Sequence, residues 1–516
     1  MTKTVARYLN WGLSVLVGIG MFLFWYVVCP HALSYQEQYQ LFLWTWDYFV
    51  ERMSLPGGLS DWLGEFIVQF FYVEWLGALL LALLFMALQR LTLRLLTHRD
   101  SPHVQSRTQG VVPMCLSLIP VAVLWWLMGD INVLLSLPVA IVMALALACI
   151  HLPKRFFWIE ILILPVAYWL IGPAVWIYIF VRVLQNHGDY SRVICLRLLI
   201  QRTVPMILWL LAVQLAVYAW LLPQWPLQQA MTGLNYYRIP LHYPQLNGYD
   251  KNMYELIRQD YLVRHERWNE IVRRAGEYQV KTPFWSNCVN LALAEKRLLA
   301  DRMFDFYQSG EDALIMPRVR DLTSMLPSAE AFWRLGMVNS AQRYMFDSQE
   351  SILNGRKSGR CTKRIAECML VNGHYQTASK QLDLLKKSLF YRTWADSVQL
   401  NDAWVDAHPV YGRLRQLRYK ENFLYSYEEM DKMLGLLFMS NPENKMALDY
   451  FMGQILLKGN MQGFLQYMQW VQQYGGYRMM PLGYQDAMRC IQMQGRVSGS
   501  PYAEYVKRMK ERRVQP

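Results

Sequence analysis

Long runs of apolar residues fill the first 222 positions of this 516-residue chain, and they constrain its fold more than any other feature. A helix needs about 20 apolar residues to cross the hydrocarbon core of a bilayer. Because no water is available there for unpaired peptide groups, each run must be helical. The sequence therefore predicts an all-α chain that opens with a polytopic transmembrane helical bundle. We expect about seven spans, at 11–29, 67–88, 111–128, 131–150, 156–171, 173–185 and 204–222.

The basic residues in the loops choose between two topologies for residues 156–185. If this stretch is one long helix kinked at a proline, the arginines of residues 192–202 lie outside the membrane. If it is a hairpin with a short second arm, Arg52 is the one basic loop residue outside. The positive-inside rule favours the hairpin, and hence seven passes with residues 223–516 outside. The inside residues are then Lys3, Arg7, Arg90, Arg94, Arg99, Arg107, Lys154, Arg155, Arg182, Arg192, Arg197 and Arg202.

The N-terminus resembles a signal peptide, because Lys3 and Arg7 precede the first apolar run. No small-x-small cleavage motif ends the run, so we expect a retained first span. In a bacterium this predicts a multi-pass protein of the inner membrane with a periplasmic C-terminal domain. The net charge of +13 arises largely from the inside loops, so it does not indicate a nucleic-acid partner.

The composition divides the chain into a transmembrane domain (1–222, with an external loop at 30–66), a connector (223–249) and a soluble domain (250–516). The connector is rich in Pro, Gly and Tyr. The soluble domain has helical patterning and no convincing alternating strand. Its cysteines and histidines show no metal-ligand spacing.

Four segments of the soluble domain share an apolar helix end, a short turn and an aromatic or aliphatic residue that opens the next helix. They are LVRHERWNEIV (262–272), RLGMVNSAQRYMF (334–346), CMLVNGHYQTASKQL (368–382) and ILLKGNMQGFLQYM (455–468). With Trp268, Val338, Tyr375 and Met461 taken as equivalent, their intervals are near multiples of about 35 to 43 residues, and tetratricopeptide helix pairs repeat every ~34. We therefore expect a tetratricopeptide-like α-helical repeat domain that binds partner proteins through residues such as Tyr375 and Trp268. An irregular helical bundle is the alternative.

The external loop contains the acidic, aromatic stretch SYQEQYQLFLWTWDYFVERMSLPGGLSDWLGEF (34–66). Its middle part predicts an amphipathic helix lying in the membrane interface, with Asp47 and Glu51 on one face. After Pro56, Ser60 suits an N-cap, Asp61 the first turn, and Glu65 continues the same face.

Asp47, Glu51, Asp61 and Glu65 are thus the candidate catalytic residues. They could serve as a general base on an acceptor hydroxyl, or hold a divalent cation that neutralises a phosphate leaving group. The simpler alternative is that they are surface acids and helix caps.

Two further acids, Glu74 and Glu160, fall among apolar residues of predicted spans. An ionisable side chain at that depth is costly and usually functional. A transporter is nevertheless a weaker hypothesis, because intramembrane polar residues are few and no paired broken helices are evident.

The layout of residues 1–222 resembles that of the GT-C-type membrane glycosyltransferases. In that family a long first external loop of two interfacial helices carries the catalytic acid, and a multi-span core and a soluble domain follow. The resemblance implies a polyprenyl-phosphate-linked sugar as donor, with Asp47 as first candidate for the catalytic acid, then Glu51 and Asp61. Some eukaryotic protein O-mannosyltransferases join such a core to tetratricopeptide repeats. The loop here lacks the Asp-Asp or Asp-x-Asp motif of that pattern.

The phrases SYQEQYQLF and SLPGGLSDWLGEF are similar to those of an uncharacterised family of multi-span membrane proteins from Bacteroidota with a helical-repeat C-terminus. That resemblance implies the architecture and an envelope location, and no activity. Two functions therefore compete. One is a glycosyltransferase that uses a lipid-linked sugar. The other is a non-enzymatic scaffold, anchored among membrane lipids, whose repeats bind envelope proteins during assembly or secretion.

Overall fold

The structure is a computed structural model that describes residues 3–97, 111–150, 157–187, 199–238, 248–318, 323–352, 355–420, 427–474, 476–493 and 499–514. Within these ranges it has helices and no strand, apart from one isolated bridge between Val133 and Tyr237. The all-α prediction is therefore confirmed for them. The chain divides into two compact units. The first is Met1–Asp250 with Leu353–Arg356 and Lys387–Phe390, and the second is Lys251–Ile352, Lys357–Lys386 and Tyr391–Pro516.

The helices of the first unit are α1 (Lys3–Leu23), α2 (Pro30–Glu37), α3 (Trp46–Met53), α4 (Gly58–Val68), α5 (Glu74–Thr97), α6 (Val111–Leu116), α7 (Leu118–Leu127), α8 (Ser136–Ala148), α9 (Phe157–Ile171), α10 (Val175–His187), α11 (Val204–Leu221) and α12 (Leu227–Thr232). A π-helical turn, Phe24–Val28, prolongs α1, and another, Leu199–Thr203, precedes α11. The connector belongs to this unit, since α12 packs with Leu222 and Leu234 against Leu55.

Four helical stretches of the described chain are long and apolar enough to cross a membrane: Tyr8–Val28, Glu74–Thr97, Trp158–Leu184 and Gln201–Leu221. Val111–Leu127 and Ser136–Ala148 are apolar but shorter. Membrane association is thus consistent with the structure, whereas helix length by itself leaves the number of crossings open.

The stretch Trp158–Leu184 folds back on itself. Gly172 has a left-handed φ of +61°, and the 3-10 turn Gly172–Ala174 separates α9 from α10. Arg182 Nη2 lies 3.6 Å from Glu160 Oε1, although these residues would be about 33 Å apart along a straight helix. The two helices therefore run antiparallel, as the hairpin interpretation of the loop charges predicts.

One end of the first unit gathers segments that are distant in sequence. Gln36 Nε2 donates to the carbonyl oxygens of Ile131 and Val133, at 3.1 and 2.9 Å. The Gly57 N–H donates to Trp169 O at 2.8 Å, and the Tyr236 hydroxyl donates to Ile171 O at 2.5 Å. Residues 30–66, 129–136, 169–174 and 222–238 therefore share this end, which we call the loop end.

The opposite end gathers the other helix termini. Arg182 Nη2 donates to Ile150 O at 2.6 Å, and Arg90 lies over the Trp11 ring at 3.9 Å. Trp209, near the start of α11, donates to Ile161 O at 3.1 Å. Successive apolar helices thus alternate in direction between the two ends. Arg99, Arg107, Lys154, Arg155, Arg192 and Arg197 of the predicted inside loops lie outside the described residues.

The helices of the second unit are α13 (Lys251–Arg264), α14 (Trp268–Glu277), α15 (Pro283–Glu295), α16 (Leu299–Arg302), α17 (Met325–Leu335), α18 (Val338–Glu350), α19 (Gly359–Val371), α20 (Tyr375–Leu385), α21 (Arg392–Ser397), α22 (Asp402–Ala407), α23 (Pro409–Leu417), α24 (Met430–Ser440), α25 (Lys445–Lys458), α26 (Met461–Gln473), α27 (Leu482–Gln492) and α28 (Pro501–Val514).

One turn recurs between five pairs of these helices. A residue with positive φ ends the first helix, and the N–H of the next residue donates to the carbonyl five positions earlier, as Met337 N does to Phe332 O at 2.9 Å. This is the Schellman motif, which satisfies carbonyls at a helix C-terminus. The second helix begins at Trp268, Leu299, Val338, Tyr375 or Met461. The predicted equivalence of four of these residues is confirmed at the level of the turn. The fifth turn, before Leu299, has Arg297 (φ +57°) in its left-handed position and was not predicted.

Two of the helices that begin these pairs are buried along most of their length. Residues 284–294 of α15 and 447–457 of α25 are buried without a break. A helix that is buried on all sides, as α15 is from Phe284 to Ala294, belongs in the middle of a packed unit. The inner face of the helix pairs is therefore filled by other helices instead of lining an open groove.

A network of ion pairs crosses the centre of the second unit. Arg360 donates to both carboxylate oxygens of Asp260, at 2.6 and 3.1 Å. Arg364 donates to Glu330 at 2.9 Å and to Glu367 at 2.6 Å. These residues, which we call the second-unit ion network, join α13, α17 and α19.

Candidate functional site

The two short helices of the external loop exist because their ends are capped locally. Thr45 Oγ1 accepts the Tyr48 N–H at 3.3 Å and caps α3. Gly57, with φ +85°, is the N-cap of α4, so the predicted N-cap at Ser60 was wrong. Ser60 lies one turn inside and donates to Gly57 O at 2.8 Å. The left-handed turn after Pro56 starts the helix earlier than the serine signal indicated.

Helix α4 approaches the start of α8 through a glycine. A Cβ at Gly64 would lie 2.7 Å from Ser136 N, so only glycine allows this distance between the helices. The approach brings Ser136 Oγ to Asp61, to which it donates at 2.7 Å. Asp61 and Glu65 consequently face the interior of the first unit and are 1% and 0% exposed.

Both buried acids are paired with arginine. Arg52 Nε donates to Glu65 Oε2 at 3.0 Å, and Arg356 Nε lies 3.0 Å from Glu65 Oε1. Arg356 Nη2 also donates to Asp61, and Tyr48 donates its hydroxyl proton to Glu65. Arg52, Asp61, Glu65 and Arg356 form what we call the loop-end ion cluster, whose formal charges cancel.

The desolvation that accompanies burial raises the pKa of Glu65 to about 7, and the Arg356 guanidinium opposes that rise. A carboxyl with that pKa is poised to exchange a proton at neutral pH. A structural pair can have the same property, however, and no face of Glu65 is exposed to a substrate. The cluster therefore favours a structural role for Asp61 and Glu65.

The other two predicted catalytic acids lie apart from this cluster. Asp47 and Glu51 are exposed on α3, on the face next to that of the buried Tyr48 and Arg52. Glu51 Oε1 is 3.6 Å from Arg52 Nη1, at the rim of the cluster. The structure thus brings Asp61 and Glu65 together and leaves Asp47 and Glu51 on the surface.

The two predicted intramembrane acids are at helix ends. Glu74 is the first residue of α5, because the 3-10 turn Gln69–Tyr72 ends the preceding helix. An acid in a first turn is favoured by the helix dipole, so Glu74 lies at the loop end and not within the second span as predicted. Glu160 is paired with Arg182 at the opposite end.

A second polar cluster at the loop end escaped the sequence reasoning. The Arg238 side chain is buried between the rings of Tyr35 and Tyr39, each 4.6 Å from its guanidinium carbon. Its Nη2 donates to Gln36 Oε1 at 3.1 Å. The Tyr and Gln residues of SYQEQYQ were the available signal, since an arginine can stack on tyrosine rings and donate to an amide oxygen.

The predicted partner-binding residues take part in packing between helices. The Tyr375 hydroxyl donates to Asp402 at 2.5 Å and accepts from Arg415 at 2.7 Å. Trp268 lies under the guanidinium of Arg334, 4.8 Å away. Both are half-buried, so their first role is to join helices within the second unit.

The loop end also carries a row of aromatic rings in contact. Phe66 touches Trp44 and Phe70, with ring centroids 5.7 and 5.4 Å apart. Phe390 meets Phe70 at 5.9 Å and stacks on Tyr72 at 5.2 Å. These five residues, which we call the aromatic row, lie immediately before the start of α5.

No group of three or more His, Cys, Asp or Glu side chains within the described ranges could hold a metal ion. The divalent cation implied by the catalytic hypothesis therefore has no ready-made ligand set among them. A cation held by fewer protein ligands and a phosphate stays a prediction.

Comparison with known proteins gives the chain a family and no activity. No curated protein matches it significantly, and no solved structure does. A family model described as "Family of unknown function (DUF6057)" matches residues 6–513. That match covers both compact units, the loop-end ion cluster and the aromatic row, so the chain belongs to this family of unknown function.

Proposed function

We propose that this chain is a multi-pass scaffold of the bacterial inner membrane whose second unit binds envelope proteins in the periplasm. The observation that carries the proposal is the recurring helix–turn–helix unit of residues 251–473, five of whose turns share one geometry. Arrays of stacked helix pairs typically serve as extended binding surfaces, as tetratricopeptide repeats do.

The proposed topology has seven crossings. Supporting it, the apolar helices alternate in direction, and α9 and α10 form a hairpin between the two ends. Arg90, Arg94, Arg182 and Arg202 lie away from the loop end, as the positive-inside rule requires of a cytoplasmic side. Residues 223–250 begin at the loop end, which supports a periplasmic second unit in this topology. The arms α9 and α10 have 15 and 13 residues, about 20 Å each, so the bilayer is thin there or the hairpin enters it only in part.

Partner binding is assigned to the outer helices of the array. The inner helices α15 and α25 are buried throughout, which leaves no open concave groove beside them. The outer helices α20 and α26, in contrast, expose Gln376 and Gln462 one residue after their shared turn. A partner would therefore meet the turn-proximal ends of several outer helices at once.

Site-specific photo-crosslinking in living cells tests this proposal. A photo-reactive amino acid at Gln376 or Gln462 of the full chain should give discrete protein adducts. The matched control is the same amino acid at Leu208, which is exposed on the apolar helix α11 and should label lipid. Uniform absence of adducts from both outer-helix positions, with normal expression, would refute the scaffold.

A glycosyltransferase with a lipid-linked sugar donor is the second candidate. It is favoured by the exposure of Asp47 and Glu51 on one turn of α3, beside the exposed ring of Trp46. A carboxylate in the membrane interface could take a proton from an acceptor hydroxyl there. Asp61 and Glu65 are ion-paired, which makes them weaker candidates for that role.

Envelope glycans decide between the two functions. Under the catalytic hypothesis, Asp47→Asn or Glu51→Gln abolishes a glycan while the protein still folds and inserts. Under the scaffold hypothesis, both variants leave glycans and adducts unchanged. Asp47→Glu is the matched control, since it keeps the charge and moves the carboxylate by one methylene.

A further inference from the structure

A short segment from the C-terminal half of the chain belongs to the loop end of the first unit. The carbonyl oxygen of Lys387 accepts the N–H of Trp44 at 2.8 Å. Phe390 completes the aromatic row by stacking on Tyr72, with an interplanar angle of 16°. Residues Lys387–Phe390 are assigned to this unit and not to the one that surrounds them in sequence.

The height of this segment relative to a membrane follows from its neighbours. Tyr72 and Trp75 bracket the start of the apolar helix α5 at Glu74, and 52% of Trp75 is exposed. Tyr and Trp at the end of a membrane helix lie at the level of the lipid headgroups. Because Phe390 stacks on Tyr72, residues 387–390 must lie at the same level.

The side chains of the segment suit a lipid surface. Leu389 is 44% exposed beside Phe390, and Trp44 is 53% exposed next to them. Lys387 is exposed two residues before Leu389. An exposed apolar patch edged by a lysine matches the boundary between acyl chains and anionic headgroups, where the apolar part is buried and the lysine meets a phosphate.

We propose that Lys387–Phe390 is a membrane-contacting loop that inserts Leu389 and Phe390 among the headgroups of anionic lipids. This inference rests on the proposed function only in requiring that α5 cross a bilayer. It adds a contact between the C-terminal half of the chain and the membrane that the apolar spans do not supply.

Fluorescence quenching in vesicles tests the inference on the full chain. Leu389→Cys carries an environment-sensitive fluorophore, and the parent chain labelled in parallel gives the background from the exposed native Cys115. The vesicles contain phosphatidylethanolamine and phosphatidylglycerol with a lipid that bears a nitroxide near its headgroup. The matched control is Leu436→Cys, 39% exposed on α24 of the second unit. We expect severalfold stronger quenching at position 389 than at 436.

The variant Trp75→Cys distinguishes failure of the loop's membrane contact from failure of α5 to cross the membrane. Strong quenching at 75 with equal quenching at 389 and 436 would overturn the membrane-contacting loop alone. Absence of quenching at 75 would overturn the crossing of α5, and with it the proposed function and this inference. Lys387→Glu should lower the quenching at 389 in the anionic vesicles and leave it unchanged in phosphatidylcholine. An unchanged signal in the anionic vesicles would refute the recognition of anionic headgroups.

Discussion

Glu65 in the first unit and Glu330 in the second are both buried carboxylates held by two or more arginines, yet they titrate in opposite directions. The pKa of Glu65 is raised to about 7, whereas that of Glu330 is lowered to about 2. Burial by itself raises the pKa of each, because it disfavours the charged form. The difference must therefore come from the guanidinium groups around them.

At the loop end, Arg356 is shared, since it binds Asp61 as well as Glu65. In the second unit, Arg364, Arg360 and Arg334 together outweigh the burial of Glu330. The comparison teaches that a buried acid stays charged where the guanidinium groups around it together outweigh its desolvation. Two buried glutamates that are both surrounded by arginines can thus differ at neutral pH. Glu65 exchanges a proton there, whereas Glu330 stays ionised.

The largest effects should follow removal of one arginine from each cluster. Arg356→Met and Arg364→Met each leave buried carboxylate charge without its partner, which costs about 3 to 5 kcal/mol of unfolding free energy. The cost of Arg356→Met should shrink between pH 7 and pH 5, because Glu65 can then take up a proton, whereas that of Arg364→Met should not. Denaturant unfolding of the detergent-solubilised chain at the two pH values measures this.

The control for both variants is Arg273→Met, at an exposed helical pair with Glu277. Exposed pairs contribute at most about 1 kcal/mol. An equal pH dependence of the unfolding free energy in Arg356→Met and Arg364→Met would contradict the opposite pKa shifts of Glu65 and Glu330.

The next largest effect is the pH dependence of stability that Glu65 contributes to the parent chain. The raised pKa of Glu65 means that the folded state holds its proton more tightly than the unfolded state does. Its contribution to stability is therefore fully present below pH 4.5 and is lost as the pH rises through about 7, on the order of 3 kcal/mol in all. Glu65→Gln should remove this loss, so the difference in unfolding free energy between the variant and the parent should change over that window. A constant difference from pH 4.5 to 7.5 would refute it.

For Glu330 the contribution to stability changes with pH in the opposite direction. Its lowered pKa gives stability that is present above pH 4.5 and is lost as the pH falls through about 2. Glu330→Gln should therefore cost most at neutral pH, on the order of 3 kcal/mol, and progressively less in acid. A cost that grows on acidification would place Glu330 in the same class as Glu65.

A smaller effect tests whether the second unit depends on its turns as well as on its ions. Gly336 and Gly459 have the same left-handed conformation, which costs another residue about 1 to 2 kcal/mol. A Cβ at Gly336 would also lie 2.9 Å from Leu417 Cβ, whereas at Gly459 it meets open space. Gly336→Ala should thus destabilise the unit more than Gly459→Ala does, as measured by thermal unfolding. Equal losses of stability in the two variants would mean that Leu417 moves away from the new methyl group without an energetic cost.

The smallest effects are expected at the exposed acids of the external loop. Asp47→Asn should change the unfolding free energy by less than about 0.5 kcal/mol, because surface substitutions away from buried networks rarely do more. Glu51→Gln should cost at most about 1 kcal/mol, because it removes one exposed partner of Arg52. Asp61→Asn, in the same loop, should cost several times as much, since it leaves Arg356 without a carboxylate on that side. Circular dichroism melts of the three variants provide the comparison.

Local patterns predicted the helices and several of their ends. The apolar runs gave helices near the expected spans, and four turn residues, Trp268, Val338, Tyr375 and Met461, open helices as predicted. The start of α5 was placed too early, because the apolar residues 67–73 continue α4 and its 3-10 turn. Apolarity alone does not distinguish a membrane helix from a buried loop helix.

The candidate site was predictable only in part. The acidic external loop stood out in sequence, and so did the pairing of Asp61 with Glu65 on one face of a helix. Their arginine partner Arg356 lies 295 positions beyond Asp61, in the short segment between α18 and α19. No local spacing links residues so distant, because they meet only when separately formed helices pack.

The sequence by itself determined the all-α class, the apolar character of the first unit and the polar turns of the second, since these depend on neighbouring residues and on the solvent around them. Only the tertiary structure decided which acids are buried, that Trp158–Leu184 folds back at Gly172, and that the inner helices α15 and α25 are enclosed. The physical reason is the same in each case. Burial and charge compensation depend on the packing of distant segments, which a local pattern does not encode.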